Sequence, residues 1–262
     1  MKCCSYPPLH EHNDGHSTQK QLLDQPASHP IIVLGSLSRT SVTGSAYLEW
    51  NGSKVMCTVL GPKQAAKQSS LSSTAFDKAV IECEVIFAKH VNDDDVAQVY
   101  PKFRRAPIEK RLSHVLREAV ESVVSTDYYP KQVIQIRVVV LQSSVYDLAA
   151  VVNCASSALA DSSVRLLDIL SSCSMFFSRR EPAAEISCRT SPTAADTSSA
   201  DFIHINVSAL SSLHSIAHLY MEGRLGGHLF SAAQERLLEE CKKVRMLIAQ
   251  ALKSKAATAS TA

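Results

Sequence analysis

Apolar residues begin to recur with order at Ile31-Ile32-Val33-Leu34. Residues 1–28 before them mix polar residues, prolines and histidines without a period, so a flexible extension is expected there. Two apolar runs at 44–50 and 54–62 flank Asn51-Gly52. That dipeptide suits the left-handed positions of a two-residue turn, so the segment reads as a β-hairpin. A further strand is expected over 79–87, where Ile81, Cys83, Val85 and Phe87 share one apolar face. From 107 to 124 the period changes: Ile108, Leu112, Val115, Leu116, Ala119 and Val123 recur at three and four residue steps. This is a helix, with Pro107 in its first turn.

Residues 133–141 are dense in β-branched side chains and predict a strand. An alanine-rich helix follows over 145–160, suited by Ala149, Ala150, Ala155 and Ala158 to close packing on a sheet. Strands are expected over 169–177 and 202–210, separated by a Ser, Thr, Ala and Pro-rich loop at 181–200. A final helix runs from about 231 to 253, with Leu237, Leu238, Val244, Leu247, Ile248 and Leu252 on its buried side. The order gives an α/β (α+β) class with mixed sheets packed by helices. One domain over 29–255 is expected between the extension at 1–28 and a disordered tail at 256–262. The strands at 133–141 and 169–177 are long and apolar enough to demand cover.

The 45% hydrophobic content supports a sizeable core over 262 residues. A formal net charge of +2 does not by itself imply nucleic acid, so any such contact must come from local basic patches. The eight cysteines include no CxxC pair and sit mostly within apolar runs, the usage of a reducing compartment. His10, His12 and His16 lie near Cys3 and Cys4 but match no zinc spacing, so no metal and no cofactor is expected. No apolar run approaches a membrane helix and the N-terminus lacks a signal-peptide centre, so an intracellular protein without membrane contact is expected.

Four segments, in order, resemble the RNase PH family. They are the hairpin from Gly44-Ser45 through Gly61-Pro62, the helix from Glu109-Lys110-Arg111 through Glu118-Ala119-Val120, the run Val140-Leu141-Gln142 with the segment ending Ala158-Leu159-Ala160-Asp161, and Ile205-Asn206-Val207. The resemblance implies an RNase PH-like fold. Active members cleave an RNA 3′ end with inorganic phosphate, which requires glycine amides and arginine on the phosphate. Carboxylates for a metal ion or a proton are also required.

Those members follow the Val-Leu-Gln strand with Ala-Asp-Gly-Gly-Thr-Arg. Here the same places hold Ser143, Ser144, Val145, Tyr146, Asp147 and Leu148. Side chains at Val145 and Tyr146 keep phosphate away from the backbone. Asp147 is expected either to repel phosphate, by on the order of 1 kcal/mol, or to sit favourably at a helix N-terminus. The family's aspartates fall on His204, read as a structural or solvent-facing strand histidine, and near Ser198, with Asp196 and Asp201 close by. No catalytic residues are therefore assigned.

The resemblance is nearest to inactive members of the eukaryotic RNA exosome ring. It implies a non-catalytic structural subunit of a hexamer that supports 3′-to-5′ RNA processing and helps line the RNA path. The implied partners are other RNase PH-like ring subunits, cap subunits with RNA-binding domains, associated exoribonucleases and single-stranded RNA. The implied location is the nucleus and nucleolus, also the cytoplasm. An active phosphate-dependent exoribonuclease and a standalone RNA-binding protein of this fold remain the alternatives. The candidate RNA contacts are Lys102, Phe103, Arg104 and Arg105, where an aromatic ring adjoins basic residues, and Lys63 and Lys67 after the hairpin.

Overall fold

The computed structural model describes residues 30–35, 42–64, 77–91, 96, 99–100, 104–178, 202–223 and 227–259. The expected loop at 181–200, the N-terminal extension, Lys67, Lys102 and Phe103 lie outside them. Five strands form a mixed sheet: β1 (Ile31–Leu34), β2 (Gly44–Trp50), β3 (Ser53–Gln64), β4 (Val80–Phe87) and β5 (Gln132–Gln142). Their order is β1-β2-β3-β5-β4, with β4 and β5 parallel and the other pairs antiparallel. Helix α1 (Arg105–Glu121) connects β4 to β5, and α2 (Asp147–Asp161) follows β5. A second, antiparallel sheet contains β6 (Leu170–Ser178), β7 (Phe202–Leu210) and β8 (Ser215–Glu222), in that order. Helix α3 (Gly227–Ala259) ends the described chain.

The Asn51-Gly52 turn forms as its sequence requires, with φ of 48° and 80°. Both angles are left-handed, which asparagine and glycine tolerate at least cost. Along β3, Val55, Cys57 and Val59 are buried in alternation, and β4 and β5 add Ile81, Val85, Phe87, Ile134, Ile136, Val138 and Val140 to the same layer. The helices α1 and α2 cover this face. The three-stranded sheet lies on their far side and α3 covers it in turn. The result is four layers: sheet, helices, sheet, helix.

Helix α2 lies between the two sheets and packs on β2, β3 and β6. Residues Asp147 to Leu159 are buried without exception, so this helix has no solvent face. Small side chains make that possible. At Gly44, where α2 ends against β2, a Cβ atom would stand 2.3 Å from the Ala158 carbonyl oxygen. The glycine is required there by the close approach of helix and strand.

Between the helix layer and the second sheet, Asn153 on α2 bonds the backbone of Ser172 twice. Its Nδ2 donates to the Ser172 carbonyl at 2.8 Å, and its Oδ1 accepts from the Ser172 N–H at 2.8 Å. Ser172 lies on the outer edge of β6, so one side-chain amide takes the place of a further strand.

The expected elements are present with small shifts at their ends. The chief difference is β8, which the apolar pattern did not reveal. The expected need for outside cover at 133–141 is corrected: β5 lies inside its sheet, between β3 and β4. At 169–177 the strand packs against α2 and α3. The strands with exposed apolar side chains are β8, at Ile216, Leu219 and Met221, and β1, at Ile31 and Val33. Helix α3 packs on β6 and β7, and a helix about 10 Å wide spans about two strands. Among the described residues no helix is long and apolar enough to cross a membrane.

Replacing Asn153 by Ala leaves a buried N–H and a buried C=O without their partner. Each such group costs about 1–3 kcal/mol, so a total loss of about 2–6 kcal/mol in unfolding free energy is expected. Urea denaturation of N153A against the parent measures it, and an unchanged midpoint would mean that the amide contributes nothing.

Candidate functional site

The turn from Ser143 to Leu148 joins β5 to α2, at the place where the resemblance puts a glycine-rich phosphate loop. Its residues turn inward. Asp147, the first residue of α2, is fully buried. Its Oδ1 accepts from Ser53 Oγ at 2.7 Å and the Ser144 N–H at 2.9 Å. Its Oδ2 accepts from Ser143 Oγ at 2.6 Å and the Tyr100 hydroxyl at 3.4 Å. Ser53 and Ser144 also meet, with their hydroxyls 2.6 Å apart. The expected repulsion of a bound phosphate by Asp147 is therefore corrected. The carboxylate faces the protein interior and ties the start of β3 to the turn. Burial pushes its acid up to about 6, although the four hydrogen bonds oppose that shift.

Tyr146 is buried beside it and meets Phe176 edge-on, with ring centroids 5.3 Å apart. Phe176 stacks on His204 at 4.5 Å with planes within 8°. His204 meets Tyr220 at 5.6 Å, and the Arg111 guanidinium lies 4.4 Å above the Tyr220 ring. A column of side chains from the turn before α2 and from β6, β7, β8 and α1 thus packs through this end of the molecule. The reading of His204 as solvent-facing is corrected, since its Nε2 is buried and has no hydrogen-bond partner. Burial first, and the Arg111 charge second, lower its basicity to about 4. The imidazole is neutral near pH 7 and packs as an aromatic ring. Leu148, at the arginine position of active members, is also buried.

Sequence reasoning found the Ser143–Leu148 turn and His204 but missed Tyr100, Ser53, Phe176, Tyr220 and Arg111. These come from distant segments. The available signal was an aromatic residue, Phe176 or Tyr220, on each of two strands that also carry polar residues. Asp196, Ser198 and Asp201 lie outside the described residues. Among the described residues no group of three or more His, Cys, Asp or Glu side chains is arranged to hold a metal ion.

The basic candidates separate. Lys63 is exposed near the end of β3 and pairs in register with Val133. Arg104 is exposed at the N-terminal boundary of α1. The following residue, Arg105, contacts the chain just after β4, at the level of Val140. Seven residue steps along β5, about 23 Å, separate these levels, so the two candidates occupy opposite ends of the sheet. Arg105 itself is engaged inside the protein. It donates to the Phe87 carbonyl, to Ala88 O at 3.2 Å and to Val91 O at 3.1 Å, and pairs with Glu109 at 3.2 Å. Four partners inside the protein thus use the guanidinium. On α3, Arg245 likewise binds Asp168 at 3.0 Å and Ser212 at 2.6 Å.

Residues 30–165 match the family model described as the 3′ exoribonuclease family, domain 1, known as RNase_PH. The chain belongs to the RNase PH family. It is 29% identical over 223 residues to the Arabidopsis thaliana protein named Exosome complex component RRP41 homolog, covering 85% of this chain and 86% of that one. To the Homo sapiens Exosome complex component MTR3 it is 29% identical over 216 residues, 80% of this chain and 77% of that one. It spans less of others: 51% of the Arabidopsis thaliana RRP41-like component and 27% of Methanosarcina mazei Rrp41. Among solved structures, rice Rrp46 superposes with a TM-score of 0.66 at 15% identity, over 87% of this chain and 96% of that one. That likeness establishes the RNase PH-like fold.

The inward carboxylate makes stability depend on pH. Below about pH 4 Asp147 is protonated in both states. Between about 4 and 6 the unfolded chain ionises first, so stability falls as pH rises, by up to about 3 kcal/mol. His204 acts oppositely, its contribution being lost as pH falls from about 6.5 towards 4. D147N is expected to gain on the parent from pH 4 to 7, and H204F from pH 6.5 down to 4. Urea midpoints across that range report both, and parallel profiles would show ordinary titration.

Proposed function

We propose that this RNase PH-family chain is a non-catalytic structural subunit of a hexameric exosome ring. It supports 3′-to-5′ RNA processing and degradation and forms part of the wall of the RNA path. The observation that carries this reading is the inward-facing Ser143–Leu148 turn. A phosphorolytic site needs backbone amides and an arginine open to two anions. Here Tyr146 and Leu148 are buried, and the turn's N–H and hydroxyl groups converge on the chain's own Asp147. His204, at a family aspartate position, packs between aromatic rings.

Exosome membership is supported by relatives that carry that name and align over most of both chains. The RNA-binding capacity of such an assembly is a property of the Archaeoglobus fulgidus exosome with RNA bound to the active site, whose fold this chain shares at a TM-score of 0.61 and 14% identity, over 84% of this chain and 88% of that one. The proposed partners here are other RNase PH-like ring subunits, RNA-binding cap subunits, exoribonucleases and single-stranded RNA, in nucleus, nucleolus and cytoplasm. Exposed Ile216, Leu219 and Met221 supply apolar surface for a neighbouring chain. Proposed RNA contacts are Arg104 at one end of the sheet and Lys63 at the other, with Lys102, Phe103 and Lys67 near them in sequence.

Single-stranded RNA, inorganic phosphate and magnesium are expected to yield no nucleoside diphosphates with the purified chain. Release that survives repurification and is lost on D196A or D201A would overturn the non-catalytic assignment. Co-expression with a ring subunit of the other type is expected to give a defined heteromer by size-exclusion chromatography with light scattering. A monodisperse monomer that ignores every ring partner would refute the scaffold role.

Within that heteromer, R104A with K102A is expected to weaken RNA binding and flatten its salt dependence. R105A is expected instead to lower unfolding free energy by about 1–3 kcal/mol, because it removes bonds to three carbonyls. Filter binding across a salt series and urea denaturation separate the two effects.

A further inference from the structure

Between α1 and β5 the chain reverses in a short turn that presents Tyr128, which is 62% exposed. The Arg165 guanidinium lies 4.6 Å from the centre of its ring and covers one face. Exposure of that size leaves the other face open to solvent. Main-chain bonds fix both residues. The Tyr128 N–H donates to the Ser125 carbonyl at 3.4 Å, and the Ala79 N–H ties the turn to the start of β4 through the Thr126 carbonyl at 3.1 Å. Arg165 is joined to the same turn twice. Its carbonyl accepts from the Ser125 N–H at 3.2 Å, and its N–H donates to the Tyr129 hydroxyl at 3.1 Å. A ring and a guanidinium from two distant segments are thus held in one stack.

The next four residues close a second turn, in which the Tyr129 carbonyl accepts from the Gln132 N–H at 3.3 Å. Pro130 is its second residue, and Lys131 is its third with φ of 60°. That left-handed conformation is the one glycine adopts at least cost, yet the position carries an exposed lysine. Lys63 and Gln64 of β3 pair with Val133 and Gln132, so Lys63 stands at the same end of the sheet. The segments that form this end, 63–64, 77–79, 125–132 and 163–167, carry Lys63, Lys78, Lys131 and Arg165 against Asp77 and Asp127. Asp127 pairs with Lys78 at 3.2 Å, and Asp168, the next acid along, with Arg245 at 3.0 Å.

We infer that Tyr128 and Arg165 form a stacking platform for one base of single-stranded RNA, with Lys131 and Lys63 on neighbouring phosphates. A base laid on the open face of Tyr128 extends the existing pair to a stack of three planar groups. The guanidinium behind the ring adds its charge without occupying the face that the base needs. Because every base has such a face, the platform reads no sequence. The carboxylates of an acidic peptide could meet the lysines but give the ring no planar partner, so RNA is favoured over peptide. The inference rests on the RNA-path reading for its ligand. It adds an aromatic contact at the Lys63 end, where the basic residues alone supply only charge.

The test uses the full chain and a short fluorescein-labelled oligouridylate, read by fluorescence polarisation. Saturable binding is expected, about fivefold or more weaker in Y128A and close to the parent in Y128F, which keeps the ring. A labelled abasic oligomer of the same length is expected to bind the parent no better than oligouridylate binds Y128A. K131G is expected to flatten the salt dependence by a slope of about 0.7, the share of one phosphate contact, while melting no lower than the parent. Thermal melting also checks that Y128A remains folded. The inference is overturned by equal affinity of Y128A and the parent, by equal loss in Y128A and Y128F, by abasic binding as tight as that of oligouridylate, or by an unchanged slope in K131G. Displacement by oligoglutamate at equal or lower concentration would assign the site to acidic peptide and overturn it as well. Binding weakened by K102A with R104A but untouched by Y128A would overturn this site and leave the RNA-path reading standing. Absence of saturable binding overturns the inference alone, because the ring reading is judged on the heteromer.

Discussion

The burial of α2 on every side is the constraint on which the rest of this molecule depends. A helix between two sheets must present apolar or self-satisfied surface in all directions, and Asp147 to Leu159 do so. The alanines let β2 approach until Gly44 tolerates no side chain. Ser157 returns its hydroxyl to the Asn153 carbonyl at 2.8 Å, and Asn153 spends its amide on β6. Ser156 is the exception, with a buried hydroxyl that lacks a partner. The two sheets are held at a fixed spacing and register because a single inflexible helix reads both.

That position also fixes what the N-terminus of α2 can do. Helix N-termini favour negative charge, and in phosphate-binding proteins the anion is a ligand. Here the anion is covalently part of the chain. Asp147 receives the turn's N–H and hydroxyl groups from within, and Tyr146 fills the adjacent space against Phe176. The same column continues through His204 to Tyr220 and Arg111, so α1 and the second sheet are joined at the end where an RNase PH active site would open.

Much of the fold was legible because local signals agreed with the tertiary outcome. Asn51-Gly52 specifies a turn, and Val133 to Val140 specify a strand whatever surrounds them. The errors came from faces whose environment is set by other segments. In β7, Ile203, Ile205 and Val207 alternate with His204, Asn206 and Ser208, which reads as a strand with one wet side. Both sides are covered. The polar side is dry because Asn206 bonds Ser172 and Ser174, at 3.1 and 2.9 Å, and His204 stacks on Phe176. Strand β8 was missed because its polar and apolar residues answer to α1 on one side and to open surface on the other. Arg105 looked like part of a basic patch because its four partners lie 4 to 18 positions away in sequence.

The amide of Asn153 gives the second sheet a polarity. On the β6 side it closes the Ser172 position, where a foreign strand would have to displace two buried hydrogen bonds before pairing. On the β8 side that lock is missing and apolar side chains stand exposed. Growth of this sheet is therefore one-directional: a strand added beyond β8 has no counterpart at β6 from which a second addition could start. Copies meeting through β8 would cap each other as a pair rather than propagate as a fibril. A protein can thus carry a sticky edge for a legitimate neighbour without becoming a template for endless stacking.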